Sequence, residues 1–449
     1  MRIRVFFFLL LFSYCLILFR SPSSYAWDNH ATLTYFSLLQ KYSLKAPLLP
    51  AESLERFLIK EKNSLVNWLE QEEDWLQKNL KNYPPVPEII KFKAKNKAHA
   101  SDGEQLIKDF LYAIRINPHM PLPLYSYVTL DRPRNPGRTT IPLSKVSLLT
   151  FDIPNLPFEE LKEGEVVSAL EVVSSASDEP DYGMDIGLFS NNDQNDFNKL
   201  YAFGDNPFGS SDNPYASQAP FHLGYFHEKN HKLQTLPLVQ RNFSEYRIHL
   251  FSGLAKLAAE LGHPYWAFRF AGWALHYLQD LNQPYHASLF PGASAKDIDE
   301  FVPLFKKTTN QHVIVENYQY NIFVNLISEG NFQHPLILAL QNVLQNGGGE
   351  NDSPYRKYPI ESWARLLVSS ESSASAKELY NILREAFPSK YIDDPNYTFS
   401  FGPSEFDTYT YLQQNNESIK QRLDEFFISR FKQLGDLNRE FLEQLSIKY

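Results

Sequence analysis

The chain has 449 residues, of which 43% are hydrophobic and 21% are charged, and its formal net charge at pH 7 is −9. This composition is typical of a globular protein with a large core, and it excludes a chain that is disordered throughout. The acidic balance also argues against duplex nucleic acid as a partner, because duplex-binding proteins usually carry a basic surface.

The first 26 residues predict a secretory signal peptide. Arg2 and Arg4 precede an apolar run over residues 5–18, and a polar stretch then ends at Ala26, before Trp27. The run is shorter than the roughly 20 residues that span a bilayer, so an uncleaved anchor is the weaker alternative. We therefore expect cleavage between Ala26 and Trp27 and a secreted or periplasmic mature protein. Its net charge would change from −9 to −12, because three arginines and no acid are removed.

The single cysteine, Cys15, lies inside this apolar run. A mature chain without thiols excludes disulfides and thiolate metal sites. Any transition metal would then be held by histidine, carboxylate and backbone or terminal groups.

The rest of the chain predicts one mainly α domain over residues 27–449, with long loop insertions, an insertion at about 45–155 and a C-terminal helical part at about 350–449. Helical spacing of apolar residues and proline or glycine stops define the segments. A proline-rich loop is predicted over 116–142, a short helix or strand over 156–176, and a polar loop over 178–219. The predicted helices cover residues 30–41, 52–80, 244–261, 264–281, 298–328, 333–345, 361–386 and 415–446.

Two histidine–acid pairs at helical spacing mark a candidate metal site. His276 and Asp280 lie four residues apart, which stacks both side chains on one helix face, and His312 and Glu316 repeat the spacing. A proline at position 284 ends the first helix, so His286 can turn back toward the same cluster. With 12 histidines and 52 acids in the chain, roughly one or two such pairs arise by chance. A hydrogen-bonded core pair is therefore the alternative to a metal site.

The string at residues 276–286, HYLQDLNQPYH, resembles the signature of the zinc-dependent phospholipase C family, which shares its fold with the single-strand-specific zinc nucleases. The resemblance implies zinc ligands at His276, Asp280 and His286, followed by His312 and Glu316. It implies up to three zinc ions, with Asp280 bridging two of them. The family also begins its mature chain with a tryptophan whose amino group and carbonyl oxygen bind zinc, and the predicted cleavage exposes Trp27 in that role.

The resemblance implies three further ligands, and for two of them alternatives stay open. His30 is the histidine nearest to Trp27, although their separation is shorter than the family usually has. Asp181, followed by Tyr182, is similar to the family's Asp-Tyr pair, and it would bind metal and orient or deprotonate the attacking water. Its rivals are Asp178 and Asp185. His227 lies 49 residues before His276, a separation similar to that of the family, and His222 is the alternative.

The function implied by the resemblance is a zinc-dependent phosphodiester hydrolase, in which a zinc-bound hydroxide attacks phosphorus. A phospholipase C acting on phospholipid head groups, in transient contact with a membrane surface, is the expectation. Three features favour it over a nuclease or another phosphodiesterase. They are the sequence NQPY at residues 282–285, a tyrosine beside Asp181 and the acidic charge. A secreted helical protein that binds zinc without catalysis is the third reading, and no pattern in the sequence indicates an oligomeric state.

Overall fold

The computed structural model describes residues 29–40, 47–93, 103–128, 134–149, 158–192, 197–207, 215–294, 297–323, 333–347, 353–398 and 406–447. The predicted signal peptide, Cys15 and Trp27 lie outside these ranges. No helix within them combines the length and the apolar character that crossing a bilayer requires.

The prediction of a mainly α single domain is confirmed. In the described ranges, eleven α-helices have eight residues or more, and their bounds are α1 His30–Leu38, α2 Leu54–Asn79, α3 Gly103–Ala113, α4 Ala169–Ser177, α5 Ser244–Glu260, α6 Pro264–Asn282, α7 Phe301–Asn321, α8 Pro335–Asn346, α9 Ser369–Ala386, α10 Thr408–Asn415 and α11 Glu417–Leu445. Shorter helical turns connect them, among them Glu179–Tyr182, Ala219–His222 and Pro284–Ala287.

Helix α6 is the centre of the fold. Every residue from Tyr265 to Asn282 is buried, which is the pattern of a helix surrounded by other elements. Helices α4, α5, α9 and α11 all pack against it. The helix begins at Pro264, two residues after the left-handed Gly262 (φ +82°) that follows the end of α5. The polar residues that α6 carries are therefore held inside the protein.

The C-terminal helix α11 joins the two ends of the described chain, because it packs on α1 and α8 as well as on α6. Asn438 Nδ2 donates to Ser37 Oγ at 3.1 Å, and the Arg439 guanidinium donates to the backbone oxygen of Leu344. Gly435 allows the close approach of α8, since a Cβ there would overlap the Leu344 backbone. Helix α1 is thus packed between α4 and α11.

Two small antiparallel sheets lie beside the helices. Strand β1 (Leu48–Pro50) pairs with β5 (Val166–Ser168), and β4 (Phe158–Glu160) lies between β2 (Tyr125–Tyr127) and β3 (Thr140–Ile141). The expectation that residues 116–142 only form a surface loop is wrong in this part, because all three residues of β2 are buried. Residues 156–176, predicted as a helix or a strand, contain β4, β5 and most of α4.

Candidate metal centre

Three groups of histidine and acidic side chains lie close together around the C-terminal end of α6. The His30 group consists of His30, His276 and Asp280, and the His222 group of Asp181, His222 and His276. The His312 group consists of His286, His312 and Glu316. Within each group one ligand atom per residue lies within 4.8 Å of the others. These are the groups within the described ranges that could hold a metal ion.

The His30 and His222 groups lie next to each other, and Asp280 lies between them. Its Oδ1 is 3.5 Å from His30 Nε2, and its Oδ2 is 2.8 Å from His222 Nδ1. His276 Nε2 is 3.0 Å from His222 Nδ1 and 3.6 Å from Asp181 Oδ1. Asp181 Oδ2 is in turn 3.8 Å from His30 Nε2. One carboxylate of α6 therefore offers an oxygen to each group.

The His312 group combines the helical pair of α7 with the turn that follows α6. His312 Nε2 is 2.7 Å from Glu316 Oε1, and it is 3.0 Å from His286 Nε2. Two imidazole nitrogens at this distance cannot both carry a proton, so at least one offers a lone pair. His286 Nδ1 lies 3.0 Å from the backbone oxygen of His222, a member of the His222 group, so the His312 group borders that group.

Several buried polar atoms in these groups make no hydrogen bond within the described part of the chain. They are His30 Nε2, His222 Nε2, Asp280 Oδ1 and both carboxylate oxygens of Glu316, on residues that are at most 5% exposed. His312 Nε2 approaches Glu316 without the alignment of a hydrogen bond. Leaving such atoms unpaired is costly, and a bound cation would satisfy them. Imidazole nitrogen and carboxylate oxygen are the donors that zinc accepts in a site without thiolates, so the residues fit this metal.

Three of the histidines are fixed through the ring nitrogen that faces away from the groups. His30 Nδ1 donates to Gln279 Oε1 at 2.8 Å, His276 Nδ1 to the backbone oxygen of Ser177 at 2.7 Å, and His286 Nδ1 to that of His222 at 3.0 Å. This arrangement leaves the Nε2 lone pair for a metal, as is usual for metal-binding histidines. The sequence reasoning missed Gln279, because a buried amide has no spacing signal of its own.

Burial sets the protonation of the metal-free His312 group. It raises the pKa of Glu316 to about 8 and lowers the pKa of His312 to about 4. The pKa of His286 is also lowered, again chiefly by burial. At neutral pH both imidazoles are therefore neutral, which is the form that binds a metal.

Burial and mutual attraction compete in the other two groups. Burial raises the pKa of Asp181 to about 7. For Asp280, His276 and His222 outweigh burial and hold the pKa well below its usual value. For His222, burial would lower the pKa, but the carboxylates of Asp280 and Asp185 raise it to about 10. The charged carboxylate between two histidines is thus Asp280.

The three neighbouring aspartates have different positions. Asp181 points at the His30 and His222 groups, as described above. Asp178 instead accepts the backbone N–H of Ala31 at 2.8 Å and fixes the start of α1. Asp185 pairs with Arg247 at 2.6 Å. Of the three candidates, Asp181 is the one that the structure brings into a potential ligand group.

The structure places His222, the alternative to His227, in one of the three groups, whereas His227 belongs to none of them. His227 Nε2 donates to the backbone oxygen of Arg365 at 2.9 Å and lies 3.1 Å from Ser369 Oγ, away from the three groups. The chain turns at Gly224, whose N–H donates to the backbone oxygen of His286 at 2.8 Å. A Cβ at Gly224 would overlap Leu281 of α6. This tight contact lies between the buried His222 and the half-buried His227, whose side chains therefore reach different surroundings.

The remaining predicted ligand, Trp27, lies outside the described residues, two positions before the first of them. Comparisons with protein-family models, with curated proteins and with solved structures found no match to the chain. The geometry of the three groups and the resemblance of residues 276–286 are therefore the two indications of function.

Proposed function

We propose that this protein is a secreted zinc-dependent phosphodiester hydrolase of the phospholipase C type, related to the superfamily that its 276–286 string resembles. The observation that supports this most is the set of three adjoining histidine–carboxylate groups, two of which share His276 and have Asp280 between them. A single structural zinc would need only one group of four ligands. Three adjoining groups instead suit a centre in which several ions act on one phosphoryl group.

The proposed ligands follow the three groups, except that His276 is assigned to the second ion alone and Asp280 to both the first and the second. His30 and Asp280, together with the amino group and carbonyl of Trp27, would hold one zinc. Asp181, His222, His276 and Asp280 would hold a second, and His286, His312 and Glu316 a third. When bound, zinc lowers the pKa of coordinated water to about 7 and stabilises charge on a phosphoryl group.

Asp181 is the side chain proposed to orient the attacking water and to hold its proton. Its carboxylate lies between 3.6 and 3.8 Å from nitrogens of His30, His222 and His276. In the metal-free protein burial raises its pKa to about 7, and a general base works best when its pKa is near the working pH. Positive charge in the centre would lower this pKa and favour the charged carboxylate.

The preference for a phospholipid substrate depends on the overall acidic charge and on the amino-acid sequence NQPY at residues 282–285. The tyrosine beside Asp181 no longer contributes to it. Tyr182 is buried, and its hydroxyl group donates to Asp178 Oδ2 at 3.3 Å, so it is not available as a wall for a head group. The substrate must therefore be identified by comparing the hydrolysis of two substrates directly.

The test is metal content by mass spectrometry on protein that begins at Trp27, beside protein that carries one extra residue before Trp27. We expect close to three zinc ions in the first and fewer in the second, because the extra residue displaces the amino group. Hydrolysis of a chromogenic phosphocholine ester, but not of single-stranded DNA, is expected from the first protein. DNA cleavage alone would assign a nuclease, and metal without either activity would assign a non-catalytic zinc protein.

Asp280→Asn tests the centre itself, and Asp424→Asn is a matched control. Both aspartates are buried on helices, and Asp424 accepts hydrogen bonds from Lys420 and Tyr318 without a metal-binding neighbour. We expect the Asp280 variant to lose zinc and activity and the control to keep both. Full zinc-dependent activity in the Asp280 variant would contradict the proposal.

A further inference from the structure

His222 differs from the other histidines of the three groups in the way that it is oriented. It turns Nδ1 toward Asp280 (2.8 Å) and His276 (3.0 Å), so that Nε2 faces away from the ligands. That Nε2 atom lies 3.5 Å from Asp185 Oδ2, close enough for an ion pair but without the alignment of a hydrogen bond in the metal-free structure. The His30, His276 and His286 rings are fixed by neutral amide or carbonyl oxygens. His222 alone among these four faces a carboxylate outside the groups.

Asp185 is itself held rigidly. Arg247 donates to its Oδ1 through Nε at 3.0 Å and through Nη2 at 2.6 Å. The Tyr277 hydroxyl group donates to its Oδ2 at 2.6 Å. Asp185, Arg247 and Tyr277 are all 0% exposed. A buried carboxylate with this many donors has one orientation, and that orientation directs Oδ2 toward His222.

The contacts continue into the insertion at residues 45–155. Arg247 Nη1 donates to the backbone oxygen of Ile114 at 2.9 Å, and its Nη2 donates to that of Arg115 at 2.7 Å. Both carbonyls directly follow α3, which ends at Ala113. The positive φ of Arg115 (+52°) accompanies this turn of the chain at the end of the helix. A continuous set of contacts therefore leads from the insertion through Arg247 and Asp185 to His222.

We propose that Asp185 is the positioning residue of the His222 group and that the insertion, through Arg247, keeps it in place. Asp185 would fix the His222 tautomer with its proton on Nε2, so that the Nδ1 lone pair faces the metal. A carboxylate behind a histidine also makes that histidine a stronger ligand. This inference rests on the proposed metal centre. It assigns to part of the insertion a role in metal binding, without direct contact with the ions.

The experiment compares metal affinities of the mature protein with those of Asp185→Asn, by competition with a chromophoric chelator. Outer-shell partners of metal-binding histidines are worth about 10- to 100-fold in affinity. We expect one of the bound ions to be weakened by this factor in Asp185→Asn, while the others keep their affinity. The visible spectrum of the cobalt-substituted protein should change at one site only. Tyr277→Phe removes one hydrogen bond from Asp185 and keeps its charge, so a smaller weakening of the same ion is expected.

Asp424→Asn is again the matched control. Asp424 accepts from Lys420 Nζ at 2.7 Å and from the Tyr318 hydroxyl group at 2.7 Å, which repeats the cation and tyrosine around Asp185. Its substitution should lower the unfolding temperature without changing any metal affinity. If Asp185→Asn fails to fold, Tyr277→Phe provides the affinity measurement.

Three outcomes would overturn the inference, and they are distinguishable. Unchanged affinities in Asp185→Asn and Tyr277→Phe would show that Asp185 does not position His222, while the proposed function would stand. Equal weakening of every ion would assign Asp185 a general structural role. A wild-type protein that binds no metal would overturn the proposed function and this inference together.

Discussion

The orientation of His30 depends on one buried amide. Gln279 Oε1 accepts from His30 Nδ1 at 2.8 Å, while Gln279 Nε2 donates to Thr34 Oγ1 at 2.7 Å and to Asn438 Oδ1 at 3.2 Å. These two donations fix which end of the amide faces the imidazole. In the neutral tautomer with its proton on Nδ1, the Nε2 lone pair of His30 is directed at Asp280 Oδ1, 3.5 Å away.

Replacing Gln279 with leucine should weaken the metal in the His30 group by about 10-fold or more, because the outer-shell acceptor is lost. Chelator competition on the variant and the wild type measures the change. Gln444→Leu is the control, since Gln444 Nε2 donates to the backbone oxygens of Tyr355 and Tyr358, away from the centre. Equal affinities in all three proteins would mean that Gln279 does not orient His30.

Protons and metal should compete for the carboxylates of the centre. In the metal-free protein the pKa of Glu316 is raised to about 8 and that of Asp181 to about 7, both chiefly by burial. A protonated carboxyl group must lose its proton before it binds a cation. Metal affinity should therefore fall as the pH is lowered from about 8 to about 6, and binding at pH 7 should release protons.

Calorimetric titration in two buffers of different ionisation enthalpy measures the protons released. In Glu316→Gln, which cannot ionise, the release at neutral pH should be smaller, and metal should be lost from the His312 group. An affinity that stays constant between about pH 6 and about pH 8 would contradict the raised pKa values.

Residue-level choices were the part of the site that the sequence could not decide. Asp178, Asp181 and Asp185 lie within eight positions, and all three are buried. Only the surrounding elements show that Asp178 binds the start of α1, that Asp181 is a potential ligand and that Asp185 pairs with Arg247. His222 and His227 are separated in the same way, by a close contact between Gly224 and α6 that no local pattern contains.

At the scale of elements, the centre depends on the close packing of α4 on α6. A Cβ at Gly272 would lie 2.6 Å from Ala176 Cβ and 2.7 Å from the backbone oxygen of Val173. One turn further along α6, His276 Nδ1 donates to the backbone oxygen of Ser177, the last residue of α4. The spacing of these two helices therefore sets the position of a ligand.

Gly272→Ala should force the two helices apart, destabilise the protein by about 1–3 kcal/mol as overpacked cores do, and weaken metal binding. Gly253→Ala is the control, because it gives the same gain in helix propensity of about 1 kcal/mol but meets only the half-buried side chain of Trp68. Thermal unfolding and chelator competition are measured on both. Wild-type metal affinity in Gly272→Ala would contradict the dependence on helix spacing.

Long helices could be predicted from the sequence, whereas short strands could not. The prediction of 264–281 corresponds to α6 and that of 415–446 to α11, because long periodic runs with clear stops are strong local signals. Strand β2 has three residues in a proline-rich stretch, and its partner β4 begins 31 positions after the end of β2. A pairing of that kind depends on tertiary contacts that a local pattern does not contain.

At the scale of the whole molecule, the proposed ligands come from distant parts of the chain. His30 is in the first described helix, and Asp181 and His222 follow α4. The other ligands of the three groups lie on α6, on the turn after it and on α7. Helix α11 holds α1 in this assembly through Asn438 and Ser37. Metal ions at this centre would connect elements that are hundreds of residues apart in the sequence, and unfolding of any of them would open the centre.

Removing the metal should therefore lower the unfolding temperature of the whole domain in one cooperative transition. An ion present at 1,000 times its Kd stabilises the folded state by about 4 kcal/mol. With an unfolding entropy of about 2.1 cal/mol/K per residue, that corresponds to a shift of roughly 4 °C for each ion lost from a chain of this size. Calorimetry with increasing chelator, followed by return of zinc, measures the shift and its reversal. Magnesium is the control, because it prefers oxygen ligands and should not restore the midpoint to a histidine-rich centre, whereas a midpoint that chelator leaves unchanged would mean that no metal stabilises this fold.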